Sequence, residues 1–355
     1  MIKVLIVDDS PVVREFLTHI LESDPDIRVI GYACDGMEAV KAVKEKIPDV
    51  VTMDIHMPEM DGFKATRIIM ETAPVPIVIV TASFDPGEVA KTFRALEAGA
   101  LAIVARPTGI GHPDHENGKR VLIRHVKAMS QVRLVRRRPQ APRRERFSLA
   151  PAGAIRHETP EVKVVAIGAS TGGPAVIQRI LAALPRDFPA PVLIVQHMAG
   201  GFIAGFAAWL AQTTGIQAKV ADHGEQARSG CAYIAPDGFD MGVEKDGRIT
   251  LKRGDNHGNH CPSVSHLFRS VAESFGETAM GILLTGMGKD GADDLLTMRQ
   301  RGALTMAQDE ASSIVFGMPG AAAGLDAATL VLPPDSIAEV LKRVVRGIGG
   351  SRDER

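Results

Sequence analysis

Residues 164–177 read VVAIGASTGGPAVI. The apolar, largely β-branched run predicts a buried strand. A turn of small residues follows from Gly168 to Gly173, and Pro174 opens a stretch with helical spacing of its apolar residues. Strand, tight turn and helix in that order make one unit of a parallel α/β sheet. The alternation continues downstream, with strands expected at 191–196, 231–235, 248–252, 279–285 and 303–308, and helices at 174–184, 201–213, 263–275, 291–300 and 335–346. Upstream, KVLIVDD (3–9), IRVIGYA (27–33), PDVVTMDIHMP (48–58), VPIVIVTAS (75–83) and ALAIVA (100–105) carry strands. Helical patterns lie between them, one over 87–98, and GKRVLIRHVKAMSQVRL closes the set. The expected fold class is α/β, as two doubly wound parallel-sheet domains, the first flavodoxin-like and the second larger.

Between these halves the character changes. VRRRPQAPRRERFSLAPAGAIRHETP has arginine clusters, repeated prolines and no apolar period, so it reads as an extended, solvated linker. The expected boundaries are a first domain at 1–134, a linker at 135–160, a second domain at 161–348 and a disordered tail at 349–355. A length of 355 residues agrees with two domains, and 45% hydrophobic with 23% charged residues describes a soluble chain. The formal net charge of -1 gives no electrostatic footprint for nucleic acid or a membrane surface, so the linker arginines read as a hinge and not a binding arm. No apolar run reaches a membrane span, and no direct membrane insertion is expected. MIKVLIVDDS meets Asp8 and Asp9 too early for a signal-peptide core. Three cysteines without a CxxC complete a cytoplasmic profile.

Asp8 and Asp9 follow the first predicted strand, Asp54 the third, and Thr81 ends the fourth. Carboxyl ends of adjacent parallel strands form the ligand crevice of such sheets. Carboxylates converging there repel one another unless a hard cation lies between them, and Mg²⁺ suits a few carboxylates plus phosphate oxygens. A single acid at a strand end is an ordinary surface residue or helix cap; four polar residues at three strand ends are not. With MPEMDG (57–62) after Asp54, residues 1–125 strongly resemble a response-regulator receiver domain. The resemblance implies that Asp54 accepts a phosphoryl group from a histidine kinase, that Asp8 and Asp9 help hold Mg²⁺, and that Thr81 contacts the phosphoryl oxygens. Where receivers usually have Lys-Pro this chain has Arg106-Pro107, and the aromatic switch position is Ile103. Arginine keeps the charge and the phosphoryl contact but is longer and planar. Phosphorylation is therefore expected to persist with weakened coupling.

The turn of 168–173 has two readings. A dinucleotide fingerprint needs G-x-G-x-x-G and an acid after the next strand; here Ser170 replaces the middle glycine, and PVLIVQHM ends in His197. G-x-S-x-G fits instead, which sets serine on a strand-to-helix turn. A helix N-cap is the plain alternative for Ser170 and for Thr171. Asp290 lies in GILLTGMGKDGADD, just past another strand. A hydroxyl, an imidazole and a carboxylate thus come from three strand ends, as a Ser-His-Asp triad requires. HGNHCPSVSH, with His257, His260, Cys261 and His266, offers possible zinc ligands, but no second ligand cluster stands elsewhere. No metal is expected at the serine site.

IGASTGGP, VQHM, LLTGMGKDGA and AQDEASSIVFGMP (307–319) closely resemble the catalytic domain of chemotaxis protein-glutamate methylesterases, over about 161–346. The resemblance implies Ser170 as nucleophile, His197 as general base, Asp290 as the orienting acid and the Met287 N–H as an oxyanion donor, with Thr171 in support. It implies hydrolysis of γ-glutamyl methyl esters on chemoreceptors and deamidation of specific glutamines, under control of the receiver. Ser265 stands where an acid is common and Gly320 where a basic residue is, departures expected to bear on receptor docking and to leave the triad untouched. The competing expectation is a response regulator whose second domain only docks receptors.

Overall fold

The computed structural model describes residues 1–82, 92–132, 161–254 and 261–346. The expected linker and tail, His257, His260 and residues 87–91 of the helix expected over 87–98 lie outside the described residues.

The first half runs β1 (Ile2–Val7), α1 (Pro11–Glu22), β2 (Ile27–Ala33), α2 (Gly36–Lys46), β3 (Val50–Met53), α3 (Gly62–Thr72), β4 (Ile77–Thr81), α4 (Arg94–Glu97), β5 (Ala102–Ala105) and α5 (His115–Ser130). Its strands form a parallel sheet in the order β2-β1-β3-β4-β5. β3 and β4 are buried throughout, which is why they read as unbroken apolar runs and not as alternating ones. Helices α1, α2 and α3 start where Ser10, Asp35 and Asp61 accept hydrogen bonds from the amides of Val13, Glu38 and Lys64. Strand order reverses between β1 and β3, so the loops after these two strands open on one crevice.

The second half comprises β6 (Val164–Ala169), α6 (Gly173–Ala183), β7 (Val192–Gln196), α7 (Ile203–Thr214), β8 (Gln217–Val220), β9 (Cys231–Ile234), β10 (Phe239–Val243), β11 (Ile249–Arg253), α8 (Val264–Phe275), β12 (Ala279–Leu283), α9 (Ala292–Gln300), β13 (Leu304–Gln308), α10 (Met318–Gly324), β14 (Leu330–Leu332) and α11 (Pro334–Arg346). The main sheet is parallel, ordered β14-β13-β12-β6-β7-β9-β8, with apolar clusters on both faces. β6 is wholly buried between β7 and β12, at the point where the chain turns from building one side of the sheet to building the other. The strand expected at 248–252 does not join this sheet. As β11 it pairs antiparallel with β10, because Asp246-Gly247, with Gly247 at φ 85°, turns the chain back on itself.

The two halves pack together through apolar contacts. Phe93 belongs to the second half's core, its ring 5.3 Å from that of Trp209 and 5.4 Å from that of Phe206. Trp209 Nε1 donates to Glu97 Oε1 at 2.9 Å. Leu96, Ile103 and Ala105 pack on the same cluster, while Ile314 and Val315 of the second half pack on the core of the first.

Candidate active site

Ser170 follows β6 directly. Its N–H donates to the Thr285 carbonyl at 3.0 Å, and its carbonyl accepts from Gly173 N and Gln196 Nε2, each at 2.8 Å. The backbone of the serine is therefore fixed from the strands on both sides. The N-cap of α6 is Gly172, at φ 79°, so Ser170 is not spent on capping and a side chain at 172 would be strained. Thr171 is buried, and its Oγ1 has no hydrogen-bond partner among the described residues. Gly286 after β12 comes so near that a Cβ there would lie 2.6 Å from Ser170 Cβ.

His197 follows β7, one strand over, and its N–H extends the ladder to the Ala169 carbonyl at 2.9 Å. Its Nε2 meets Asp290 Oδ2 at 2.9 Å, with side-chain exposures of 10% and 15%. Asp290 Oδ2 also accepts the Val264 N–H at 2.8 Å, and Oδ1 accepts the Ser265 N–H at 3.0 Å and Ser263 Oγ at 3.2 Å. The carboxylate thus caps the first turn of α8 from another part of the chain. Burial opposes its ionisation most strongly. The hydrogen bond and charge of His197, with the Val264 and Ser265 amides, outweigh that and hold the carboxyl well below the usual range. Three adjacent strands, β7, β6 and β12, bring these groups to one edge of the sheet.

Further side chains hold this edge together, and no motif reading singles them out. Gln196 is buried, and its Nε2 donates to both the Ser170 and the His197 carbonyls at 2.8 Å. Thr285 Oγ1 lies 3.0 Å from the Thr171 carbonyl and accepts the Val315 N–H at 3.0 Å. Buried Gln308 accepts the Thr285 N–H at 2.9 Å through Oε1 and donates to the Ser312 carbonyl. Their only sequence signal is a polar residue at the end of an apolar strand. Ser265 requires a correction to the expectation that it leaves the triad untouched. Its N–H bonds Asp290 and its Oγ accepts the Gly291 N–H at 2.9 Å, because it stands in the first turn of the helix the acid caps. Met287 follows Gly286, whose carbonyl accepts from Gly317 N at 3.1 Å and Met318 N at 2.9 Å.

In the first half, Asp8, Asp9 and Asp54 each present a carboxylate oxygen within 4.8 Å of the others. Burial pushes Asp8 up to about 6, with the Asp54 and Asp9 charges adding, and the Ser10 N–H and Arg106 opposing. Burial raises Asp54 too, again against Arg106 among others. Oxygen donors whose protons are held this tightly fit a hard divalent cation, which would favour their ionised forms. Thr81 is buried at the end of β4, and its carbonyl accepts the Arg106 N–H at 2.8 Å. Among the described residues no metal-compatible group includes Cys261 or His266.

A family model described as CheB methylesterase matches residues 165–341, and one described as response regulator receiver domain matches 4–112. The chain is 53% identical over 351 residues to protein-glutamate methylesterase/protein-glutamine glutaminase 1 of Syntrophus aciditrophicus strain SB, covering 98% of this chain and 99% of that protein. It is 53% identical over 343 residues to protein-glutamate methylesterase/protein-glutamine glutaminase 4 of Geobacter metallireducens, covering 96% and 98%. Among solved structures, the Thermotoga maritima CheB methylesterase catalytic domain is similar with a TM-score of 0.50 and 36% identity, covering 52% of this chain and 98% of that one.

Proposed function

The chain belongs to the protein-glutamate methylesterase/protein-glutamine glutaminase family, and on that premise we propose that it hydrolyses glutamate methyl esters on chemoreceptors by covalent catalysis at Ser170. It is a chemotaxis adaptation enzyme with a receiver domain on the same chain. In this reading residues 1–134 are the receiver, 135–160 the linker and 161–348 the catalytic domain.

Ser170 Oγ attacks the ester carbonyl carbon and gives its proton to His197. With Nε2 held by Asp290, the transfer is assigned to Nδ1. Asp290 fixes the ring and stabilises the imidazolium without taking the proton. The oxygen that becomes negative is received by the Met287 N–H. Two donors hold the Gly286 carbonyl, and peptide planarity then fixes the opposite N–H before substrate arrives. The start of α6 behind Ser170 adds a favourable dipole. The buried Thr171 hydroxyl supports the same end of the site. The imidazolium returns its proton to methoxide, methanol leaves, and a γ-glutamyl ester of Ser170 remains. Water, deprotonated by His197, then releases the glutamate carboxylate. For a glutamine side chain the leaving group is ammonia.

Asp54 is the phosphoryl acceptor for a histidine kinase of a chemotaxis-type pathway, with Thr81 and Arg106 contacting the phosphoryl oxygens. Asp8, Asp9 and Asp54 would hold Mg²⁺, which supplies charge neutralisation for phosphoryl transfer. Regulation follows from packing. Ile314 lies against Gly172, within contact of the Ser170 turn, and also on the receiver core, so the receiver borders the site it controls. We assign the chain to the cytoplasm, where kinase and receptor tails are reached; no described helix is long and apolar enough to cross a membrane.

The observation that carries this reading is the His197–Asp290 pair one strand from the Ser170 turn. Ser170→Ala, tested on methylated receptor membranes, should lower methanol release by at least about a thousandfold while the thermal midpoint holds. Near-normal release would remove Ser170 as nucleophile.

A further inference from the structure

We propose that Ser265 is a positioning residue for Asp290, holding the acid at both ends so that its carboxylate stays on the His197 ring. The proposal rests on the reading of Asp290 as the triad acid. The Ser265 N–H donates to Asp290 Oδ1 at 3.0 Å, and Ser265 Oγ accepts the N–H of Gly291, the next residue, at 2.9 Å. The first contact sets the rotation of the carboxylate, and the second sets the peptide plane that leaves Asp290.

That second restraint matters because the turn is otherwise closed only by the Ala292 N–H to the Lys289 carbonyl at 3.0 Å, a bond that leaves its central 290–291 peptide free to flip. Asp290 lies beyond β12, between Gly288 at φ 84° and Gly291 at φ 86°, where the chain makes no strand hydrogen bonds. Gly291 is also the N-cap of α9 and provides no side chain for a cap of its own. Its approach to α8 is close, since a Cβ there would lie 2.4 Å from Val264 Cγ1. The helices therefore exchange caps: Asp290 takes amides of the first turn of α8, and Ser265 of that turn takes the amide that follows Asp290. Without the hydroxyl, the 290–291 peptide can rotate while the carboxylate stays on the α8 amides, and the His197 contact is the one that opens.

The charged groups around this exchange are His197 on the β7 side, Asp240, which accepts the Ser263 N–H at 2.8 Å, and the Arg269–Asp294 pair between α8 and α9. None of these takes the Gly291 N–H in place of Ser265 Oγ.

The test measures methanol release from methylated receptor membranes by the full-length protein, with kcat and KM resolved and kcat/KM followed against pH. Ser265→Ala should lower kcat about tenfold with KM unchanged, the scale of one well-placed hydrogen bond. Ser265→Thr, which keeps the hydroxyl, should restore it. Ser265→Asp keeps an acceptor but adds a negative charge near the His197–Asp290 pair, so activity should persist with the acid limb of kcat/KM moved to higher pH. A merely structural serine would not give a kcat loss in the Ala variant that the hydroxyl of the Thr variant restores while KM and the thermal midpoint hold. An Ala variant within about twofold of wild type in kcat overturns the proposal. Asp290→Ala separates the two readings: if it is inactive while Ser265→Ala is normal, only the role of Ser265 falls, and if Asp290→Ala is itself fully active, the triad reading falls with it.

Discussion

The side-chain amide of Gln196 reaches the carbonyls of both Ser170 and His197, so one buried group sets the spacing of the proposed nucleophile and base. Gln196→Leu keeps the apolar volume and removes both donations. It should cost at least about 1–3 kcal/mol in urea unfolding, the usual penalty for a buried acceptor left unpaired, and lower kcat more than it raises KM. Unchanged stability and kcat would show that water replaces the amide. Gln196 marks the limit of what sequence reveals here. Ser170, His197 and Asp290 stand out because reactive side chains follow apolar runs. Gln196, Thr285, Gln308 and Ser263 act through partners 20 or more positions away in the chain, a relation that only the folded sheet creates. In the acid cluster the sign of a pH effect can be worked out. The Asp8 carboxyl is raised from 3.8 to about 6, so the native state binds its proton more tightly than the unfolded chain does. Stability therefore falls as pH rises through that window and the deficit persists above it. Asp8→Asn should match wild type near pH 4 and melt higher above pH 6, and Mg²⁺ should raise the wild-type midpoint at pH 7 far more than at pH 5. A Mg²⁺ effect equal at both pH values, or retained in full by Asp8→Asn, would remove Asp8 from the cation site.

Loops at the carboxyl edge carry the site, and the loop after β12 shows how tightly two of them approach. A Cβ on Gly286 would lie 2.5 Å from Met318 Sδ and 2.6 Å from Ser170 Cβ. Gly286→Ala must push the serine turn and the start of α10 apart. It should destabilise by about 1–3 kcal/mol and lower methanol release about a hundredfold, since displacements of this size spoil attack geometry. Full activity in that variant would mean that the turn is softer than its contacts imply. Element patterns were most legible where burial is two-sided: β6, β7 and β12 are buried throughout and apolar but for Gln196 at the end of β7, and the helices beside them keep their period. The pieces that escape have physical reasons. β8 reads QAKV, an exposed edge; β14 has three residues; α10 reads MPGAAAG, with no apolar period and two glycines. β11 was visible as a strand, yet its antiparallel partner β10 begins with a half-exposed FD and gives no strand signal of its own.

Across the whole molecule, β5 links the proposed phosphoryl site to the seam. Arg106 follows it and acts on Asp8 and Asp54, while Ile103 within it packs on the receiver core and on the Phe93–Trp209 cluster of the catalytic half. One residue of this four-residue strand and the residue that follows it thus face the two ends of the regulatory problem. An aromatic residue at 103 could exchange an exposed for an inserted rotamer; isoleucine, half-buried and β-branched, is already wedged and has few alternatives. The signal must then pass through movement of β5 itself, driven by Arg106. Guanidinium binds phosphate oxygens with two-point geometry at longer reach, so it can satisfy a phosphorylated Asp54 without drawing the strand inward. A full reversal of a 1:99 closed state needs about 5.5 kcal/mol of differential stabilisation, a demanding amount for one phosphoryl group. Phosphodonor should therefore label Asp54 in the wild type yet raise methanol release only a few-fold. Arg106→Lys, whose compact ammonium must approach more closely, should raise the activation ratio, and Asp54→Asn should abolish activation in both backgrounds. Strong wild-type activation that falls when lysine is introduced would show instead that the guanidinium is the part that moves the strand, and that Ile103 yields at the seam more readily than its packing suggests.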